Sequence, residues 1–286
     1  MFKFGFLSAT LALLGAMGSA GAAQAGSYSA SASLDNIHFQ LIDLDPNDGI
    51  TPSFTLERVD VPWEAVGSSA SVSLGGPLHD RQEWLNPFVP VAARYDLGRA
   101  YATASASGGI ALNSWSFNAS AAYPYDTAAN GFSAEALVFS RFLLSANTQL
   151  ILTGWSRVAT SNAFHPELAS QEQSASSGMY LSVAPSGDEE AIWREAANRL
   201  NSAYYQQQPN PTQAFGDAEL ASEVSLSLEN RRSDVMDGTL YFNVSARGAS
   251  TPVVTSPVPE PSGYLLFAGG LGLLAVGARR RRACRS

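Results

Sequence analysis

Between its two ends the chain is written in short alternating runs. Residues 27–33, Ser-Tyr-Ser-Ala-Ser-Ala-Ser, place apolar and small polar side chains in turn. Ile37, Phe39 and Leu41 then point one way, with His38 and Gln40 the other. A period of two is the mark of a strand with one buried face. Runs of strand character recur at 139–144, 149–155, 179–183, 223–228 and 239–246, and Gly75-Gly76 and Gly108-Gly109 punctuate others. Ser145-Ala146-Asn147-Thr148 stands between two of these runs and reads as the turn of a hairpin. Many short strands with turn signals between them predict a mainly β domain over 26–247. The expected architecture is an antiparallel β-sandwich, jelly-roll-like, with the first and last strands as neighbours.

One stretch departs from that period. Ile192, Ala196, Leu200 and Tyr204 recur every four residues, with Trp193 and Ala197 beside them. Asp188, Glu189 and Glu190 precede them, where carboxylates suit a helix N-terminus, and Pro209-Asn210-Pro211 follows. The pattern predicts a helical insertion near 187–206 that caps the sandwich or meets a partner.

The ends carry addresses. Residues 1–25 have the parts of a secretory signal: Lys3, an apolar stretch over 4–17, and the small-x-small site Ala23-Gln24-Ala25 before Gly26. Such a segment implies a Sec-type export machinery and a signal peptidase as partners. At the other end a Pro/Ser/Thr-rich stretch, 248–258, reads as a linker. Residues 263–278 follow without a charge, and as a helix they would be about 24 Å long, enough for a short transmembrane anchor. Arg279, Arg280, Arg281 and Arg282 come directly after. Basic residues stay on the cytoplasmic side, so the body of the chain is expected outside the cytoplasm, as the signal segment also requires. Gly269, Gly270, Gly272 and Gly277 weaken this helix and permit close contact with another membrane protein.

Pro259-Glu260-Pro261, then the apolar run, then the arginine cluster, resembles a PEP-CTERM sorting domain over 259–286. The resemblance implies a precursor held transiently in the inner membrane of a Gram-negative bacterium. Exosortase would recognise Pro259, Glu260 and Pro261 and cleave near them. The product would go to the cell surface or the extracellular polysaccharide matrix. The two prolines fix φ and remove two N–H donors, which keeps the motif extended and unpaired, as a processing enzyme needs.

Charge narrows the partners. The region 26–258 holds eleven arginines and no lysine against twenty-four acids, about −13 net. That field repels nucleic acid and anionic lipid. The chain has one cysteine, Cys284, so the central region forms no disulfide and no thiolate metal site.

Candidate chemistry is sparse. Asp43, Asp45, Asn47 and Asp48 alternate oxygen ligands ahead of Gly49, as a calcium loop does, but glycine comes one position late and Phe54 replaces the closing glutamate. A tight turn explains Pro46-Asn47-Asp48-Gly49 as well. His79-Asp80 is an acid/base pair by sequence alone. The remaining histidines, His38 and His165, are scattered, and no nucleophile-elbow, zincin or P-loop motif is present. No cofactor and no enzymatic activity are expected. Trp63, Trp84, Trp115, Trp155 and Trp193 leave a second class open. Exposed indole faces stack on sugars, which would make the domain a carbohydrate-binding module for exopolysaccharide.

Overall fold

Thirteen strands and a single 3-10 turn (Leu112–Ser114) account for the regular structure of the described chain. The computed structural model describes residues 27–57, 67–75, 78–84, 86, 88–98, 100–109, 112–124, 130–161, 168–183, 191–205 and 216–252. The strands are β1 (Ser27–Asp43), β2 (Phe54–Glu57), β3 (Gly67–Leu74), β4 (Leu78–Trp84), β5 (Val91–Asp96), β6 (Tyr101–Ser107), β7 (Ser116–Pro124), β8 (Asn130–Leu144), β9 (Thr148–Ser161), β10 (Leu168–Val183), β11 (Ile192–Tyr205), β12 (Ala218–Asn230) and β13 (Met236–Pro252). They form two antiparallel sheets, β12-β9-β1-β7-β6-β5 and β11-β10-β13-β8-β3-β4, and the short β2 also pairs with β8.

Alternation puts one face of each sheet into a shared core. Tyr28, Ala30, Ala32 and Leu34 of β1 face inward, as do Leu150 and Leu152 of β9 and Phe242, Val244 and Ala246 of β13. A bulge at Asn36 (φ 52°) then lets Ile37 stay buried, and Phe39 beyond it emerges to pack on Phe54 at 5.6 Å. The interior is graded. Trp115, Phe117 and Phe242 fill its centre with ring centroids 5.3–6.2 Å apart. Toward β5, β6 and β7 the inward residues become alanines, among them Ala93, Ala102, Ala104 and Ala121, and they face Ala70, Ala134 and Ala136 of the other sheet. Cα atoms of β3 come within 8 Å of β5 and β6 there. Sheets separated by larger side chains sit about 10 Å apart, so alanine makes this half thin.

Four sequence expectations are corrected. No helix lies over the described part of 187–206. Ile192–Tyr205 is the strand β11, paired with β10 from Val183↔Ile192 to Ser170↔Tyr205. A spacing of four is even, so it satisfies a strand's period of two as well as a helical turn, and Ile192, Ala196 and Leu200 share the core side of the strand. Second, Ser145-Ala146-Asn147-Thr148 does not close a hairpin. β8 and β9 belong to different sheets, and the turn carries the chain from one to the other. Third, the first and last strands are not paired. β1 lies between β7 and β9, β13 between β8 and β10, and they meet across the core where the Tyr28 and Ser250 hydroxyls lie 3.1 Å apart. Fourth, β13 runs on to Pro252, so 248–252 of the expected linker are strand.

The crossing at 145–147 is held by its neighbours. Ser145 N–H donates to the Ser53 carbonyl, Leu44 N–H to that of Asn147, and Asn147 N–H to that of Arg232. Asn147 itself adopts φ 47°, a left-handed value that asparagine tolerates. Behind it the buried Asn230 amide donates to the carbonyls of Leu144 (3.1 Å), Ser145 (3.0 Å) and Asp234 (2.8 Å), and its Oδ1 accepts from Arg232 N–H. Three sheet-to-sheet connections, 44–53, 145–147 and 231–235, are thereby tied into one corner. At mid-sheet, Ser177 Oγ donates to the Ser33 carbonyl across the interface, and Asn198 of β11 reaches Ser222 of β12 at 2.9 Å. Gln171 and Gln173 of β10 also face inward, fully buried, yet their amides meet no hydrogen-bond partner among the described residues.

Two stability changes of opposite sign follow. Asn230→Ala strips a partner from the buried Leu144 and Ser145 carbonyls, from the Asp234 carbonyl and from one N–H, and should cost about 2–4 kcal/mol in denaturant unfolding of the full chain. Gln173→Met removes an amide with no partner at nearly constant volume, and should raise the midpoint by the equivalent of about 1 kcal/mol. A fall in stability for Gln173→Met would mean that the amide is satisfied.

Candidate functional site

The loop after β1 spends its carboxylates on its own backbone. Asp43 Oδ1 accepts from Asp45 N–H (3.0 Å), Asp45 Oδ1 from Asn47 N–H (3.2 Å) and Asp48 Oδ1 from Ile50 N–H (2.7 Å). Asp48 Oδ2 accepts from the Asn147 amide at 2.7 Å, and Gly49 takes φ 72°. The Asn147 and Ile50 hydrogen bonds hold the Asp48 carboxyl below its ordinary range. Each acid serves an Asx-type turn two residues on, and the last braces the corner. Among the described residues no group of three or more histidine, cysteine or acidic side chains converges as a metal site would need.

His79 and Asp80 are used separately. The His79 ring stacks on Tyr95 (centroids 3.9 Å apart, 1° between planes), and its Nε2 donates to the Leu74 carbonyl at 2.6 Å. Asp80 Oδ2 accepts from Arg94 N–H, and Gln82 Oε1 from Ala92 N–H. Both donors lie on β5, an edge strand of its sheet, so these β4 side chains cap backbone groups that would otherwise invite another strand. His38 is exposed on β1, and His165 lies outside the described residues.

The tryptophans separate. Trp115 is buried at 2% exposure, its indole N–H donating to the Gly109 carbonyl; a Cβ on Gly108 would collide with its ring. Trp84, Trp155 and Trp193 are exposed at 56%, 44% and 57%, and Trp63 lies outside the described residues. Trp193 alone of these three joins a row of rings among the described residues. On the outer face of one sheet, Tyr180 lies opposite Tyr241 and Tyr241 opposite Phe139, with Trp193 one step along β11. Centroids are 6.0 Å apart for Trp193–Tyr180, 5.2 Å for Tyr180–Tyr241 and 6.4 Å for Tyr241–Phe139. The row crosses four strands, half-buried at Phe139 and most open at Trp193.

Polar groups flank it. Glu135 accepts from the Asn243 amide and from Arg247, both at 2.9 Å. Arg199 pairs with Glu195 and donates to the Tyr180 hydroxyl. Burial and the nearby Glu135 charge push the Tyr241 phenol up, so it stays a neutral donor. Between the row and these groups lie Gly178 and Ala197, packed so closely that a Cβ on Gly178 would meet Ala197. The result is an aromatic ridge beside a patch of polar side chains. Sequence reading found Trp193 but not Tyr180, Tyr241 or Phe139, because only the register of four strands brings them together.

A concavity of about 640 Å³ opens where the edge strands β11 and β12 face each other. Its described lining includes Ile192, Leu228 and Met236, the last two almost fully buried, with Arg194, Arg231 and Arg232. Arg231 is paired with Glu229 at 2.7 Å, and Arg194 donates to the Trp193 carbonyl at 3.2 Å.

The signal-cleavage residues Ala23, Ala25 and Gly26, the Pro259-Glu260-Pro261 motif, the 263–278 segment and Arg279–Arg282 all lie outside the described residues. Among the described residues no helix is long and apolar enough to cross a membrane. Contacts divide the chain into two units, 1–252 and 253–286. No curated protein and no solved structure matches the chain. Residues 257–282 match the PEP-CTERM protein-sorting motif, so the chain carries at its C-terminal end the address of an exported exosortase substrate.

Proposed function

We propose that the chain is a non-enzymatic surface or matrix protein of a Gram-negative bacterium. Its jelly-roll-like sandwich is released outside the inner membrane once exosortase has acted near Pro259-Glu260-Pro261. The observation that carries this reading is the sorting motif at 257–282, which follows in sequence a β domain of two antiparallel sheets. The strands nest as antiparallel pairs, β10 with β11, β9 with β12 and β8 with β13, and β1 fills the place beside β7 that a closing strand takes in a jelly roll. Support for a non-catalytic role comes from the separate structural uses of His79, Asp80 and the 43–49 carboxylates. Replacing Pro259, Glu260 and Pro261 with alanine should leave a full-length precursor in the inner-membrane fraction, read by mass and fractionation. Processing and delivery at the wild-type level would refute the reading.

The aromatic ridge favours a more specific role, binding of extended polysaccharide. The apolar C–H face of a pyranose ring packs on indole and phenol faces, while hydroxyls meet groups such as Asn243, Glu135 and Arg199. Trp193 is more than half exposed, so Trp193→Ala should shift folding stability by no more than about 0.5 kcal/mol. The same change should weaken retention of the full chain on neutral polysaccharide gels about tenfold, a loss of about 1.4 kcal/mol. Equal retention of wild type and variant would remove the ridge from consideration.

A further inference from the structure

The aromatic ridge has a pitch and a twist, and both discriminate among polysaccharides. Tyr180, Tyr241 and Phe139 stand opposite one another on β10, β13 and β8, and Trp193 follows on β11. From Trp193 to Phe139 the successive centroid distances are 6.0, 5.2 and 6.4 Å. The spacing of neighbouring strands, about 4.8 Å, sets this pitch. The rings are not coplanar: successive planes tilt by 41°, 51° and 64°. Part of the tilt belongs to the sheet, whose strands turn by about 20–25° each. The row is therefore a twisted line of separate contacts and not a flat shelf. Trp193 is its open end, and Tyr180, Tyr241 and Phe139 are half-buried, each with part of its ring in solvent.

The charges on this face are already matched. Arg141 pairs with Asp237 at 3.1 Å, Arg247 with Glu135 at 2.9 Å, and Arg199 with Glu195. No arginine of the row's surroundings is left over for a carboxylate or sulfate polymer, and the domain's net charge of about −13 repels one. A sugar hydroxyl both donates and accepts, so a paired guanidinium and carboxylate meet it with a donor and an acceptor side by side. Next to the rings the side chains are short. Gly178 lies opposite Ala197, and the Ser176 and Ser245 hydroxyls are 2.8 Å apart. Such neighbours leave room for the hydroxyls at the edge of a pyranose ring.

Pitch, twist and charge together specify a ligand. An equatorially linked pyranose chain is extended and advances by about one strand spacing per unit. An axially linked chain coils, and lifts its next rings off a straight row. A chain fixed in a crystal face lies flat, whereas a single chain in solution can follow the twist of the sheet. We infer that the ridge binds single, soluble chains of a neutral, equatorially linked polysaccharide, laid across the strands from Trp193 to Phe139 with about one sugar unit per strand. The inference rests on the reading of the ridge as a polysaccharide site, and adds the linkage, the physical state and the path of the chain.

The test is calorimetric titration of the full chain, in a detergent without a sugar headgroup, with cello-oligosaccharides of two to six units. Affinity should rise up to about four units and then level off. Maltohexaose and a polygalacturonate of similar length should bind about tenfold more weakly or less. Microcrystalline cellulose should not deplete the protein from solution. Trp193→Ala shortens the row at its open end, so its plateau should come at about three units, with an unfolding midpoint close to wild type. Equal affinity for maltohexaose would overturn the linkage, and equal affinity for polygalacturonate the neutral ligand. Depletion by crystalline cellulose would overturn the single chain, and a plateau unmoved by Trp193→Ala the path. Each of these can occur while Trp193→Ala still weakens retention on neutral gels, so the inference can fail alone. Equal gel retention of wild type and variant would instead remove the ridge and this inference with it.

Discussion

The described structure depends on satisfying backbone groups where the chain passes from one sheet to the other. Within a sheet, N–H and C=O groups are paired by the ladder. At a crossing they leave it, and the low-dielectric edge of a core leaves little water to replace the partner. Here the answer is one buried side chain, Asn230, whose amide gathers carbonyls from both the β8–β9 and β12–β13 connections. Because β8 pairs with β13 and β9 with β12, both pairs begin at this point: Met236 opposite Leu144, Asn230 opposite Thr148. A slip of one residue in either pair would pull Asn230 away from its acceptors and turn every core residue outward. The corner thus sets the register of four long strands at once, and everything built on their outer faces inherits it.

The thin, alanine-lined half is the complement of that arrangement. Alanine buries little area per residue, and by itself would make a weak core. The larger rings gather around Trp115, and the side chains there differ in size from one strand to the next. A core of this kind distinguishes one pairing from its neighbours by volume, which the repetitive Ser-Ala alternation of β1 and β6 does not do. Polar bridges between the sheets, Ser177 to Ser33 and Asn198 to Ser222, add directional constraints where side chains are small.

What could be seen in the sequence depended on how far the signal reaches along the chain. Strands with a clean period of two, such as 27–33 and 239–246, were legible because alternation is local. The β11 segment was not, since residues spaced by four fit a helix and a strand equally, and its acidic preface tilted the reading to a helix. The turn at Asn147 looked like a hairpin because the same short turn serves either purpose; only the partners at Ser53, Leu44 and Arg232, far away in sequence, decide it. The C-terminal sorting motif was legible because its signal is a linear order of residues, and the match over 257–282 bears it out. Tyr180, Tyr241 and Phe139 carry no such signal, and become a row only through pairing.

Charge placement links the corner to the surface. The acids outnumber the arginines by about two to one over 26–258, and most described arginines have an acid within reach, as Arg94 has Asp96, Arg141 has Asp237, Arg157 has Glu219 and Arg247 has Glu135. Such exposed pairs contribute little to stability, about 0–1 kcal/mol each. Their effect is to leave few cations with unspent electrostatic reach. At the β11/β12 cleft, Arg231 is paired with Glu229 at 2.7 Å and Arg194 donates to the Trp193 carbonyl at 3.2 Å. The corner that fixes the fold's register also holds the backbone at Arg232, through Asn230 Oδ1 and Asn147 N–H, so a stable crossing positions one side of the cleft as well.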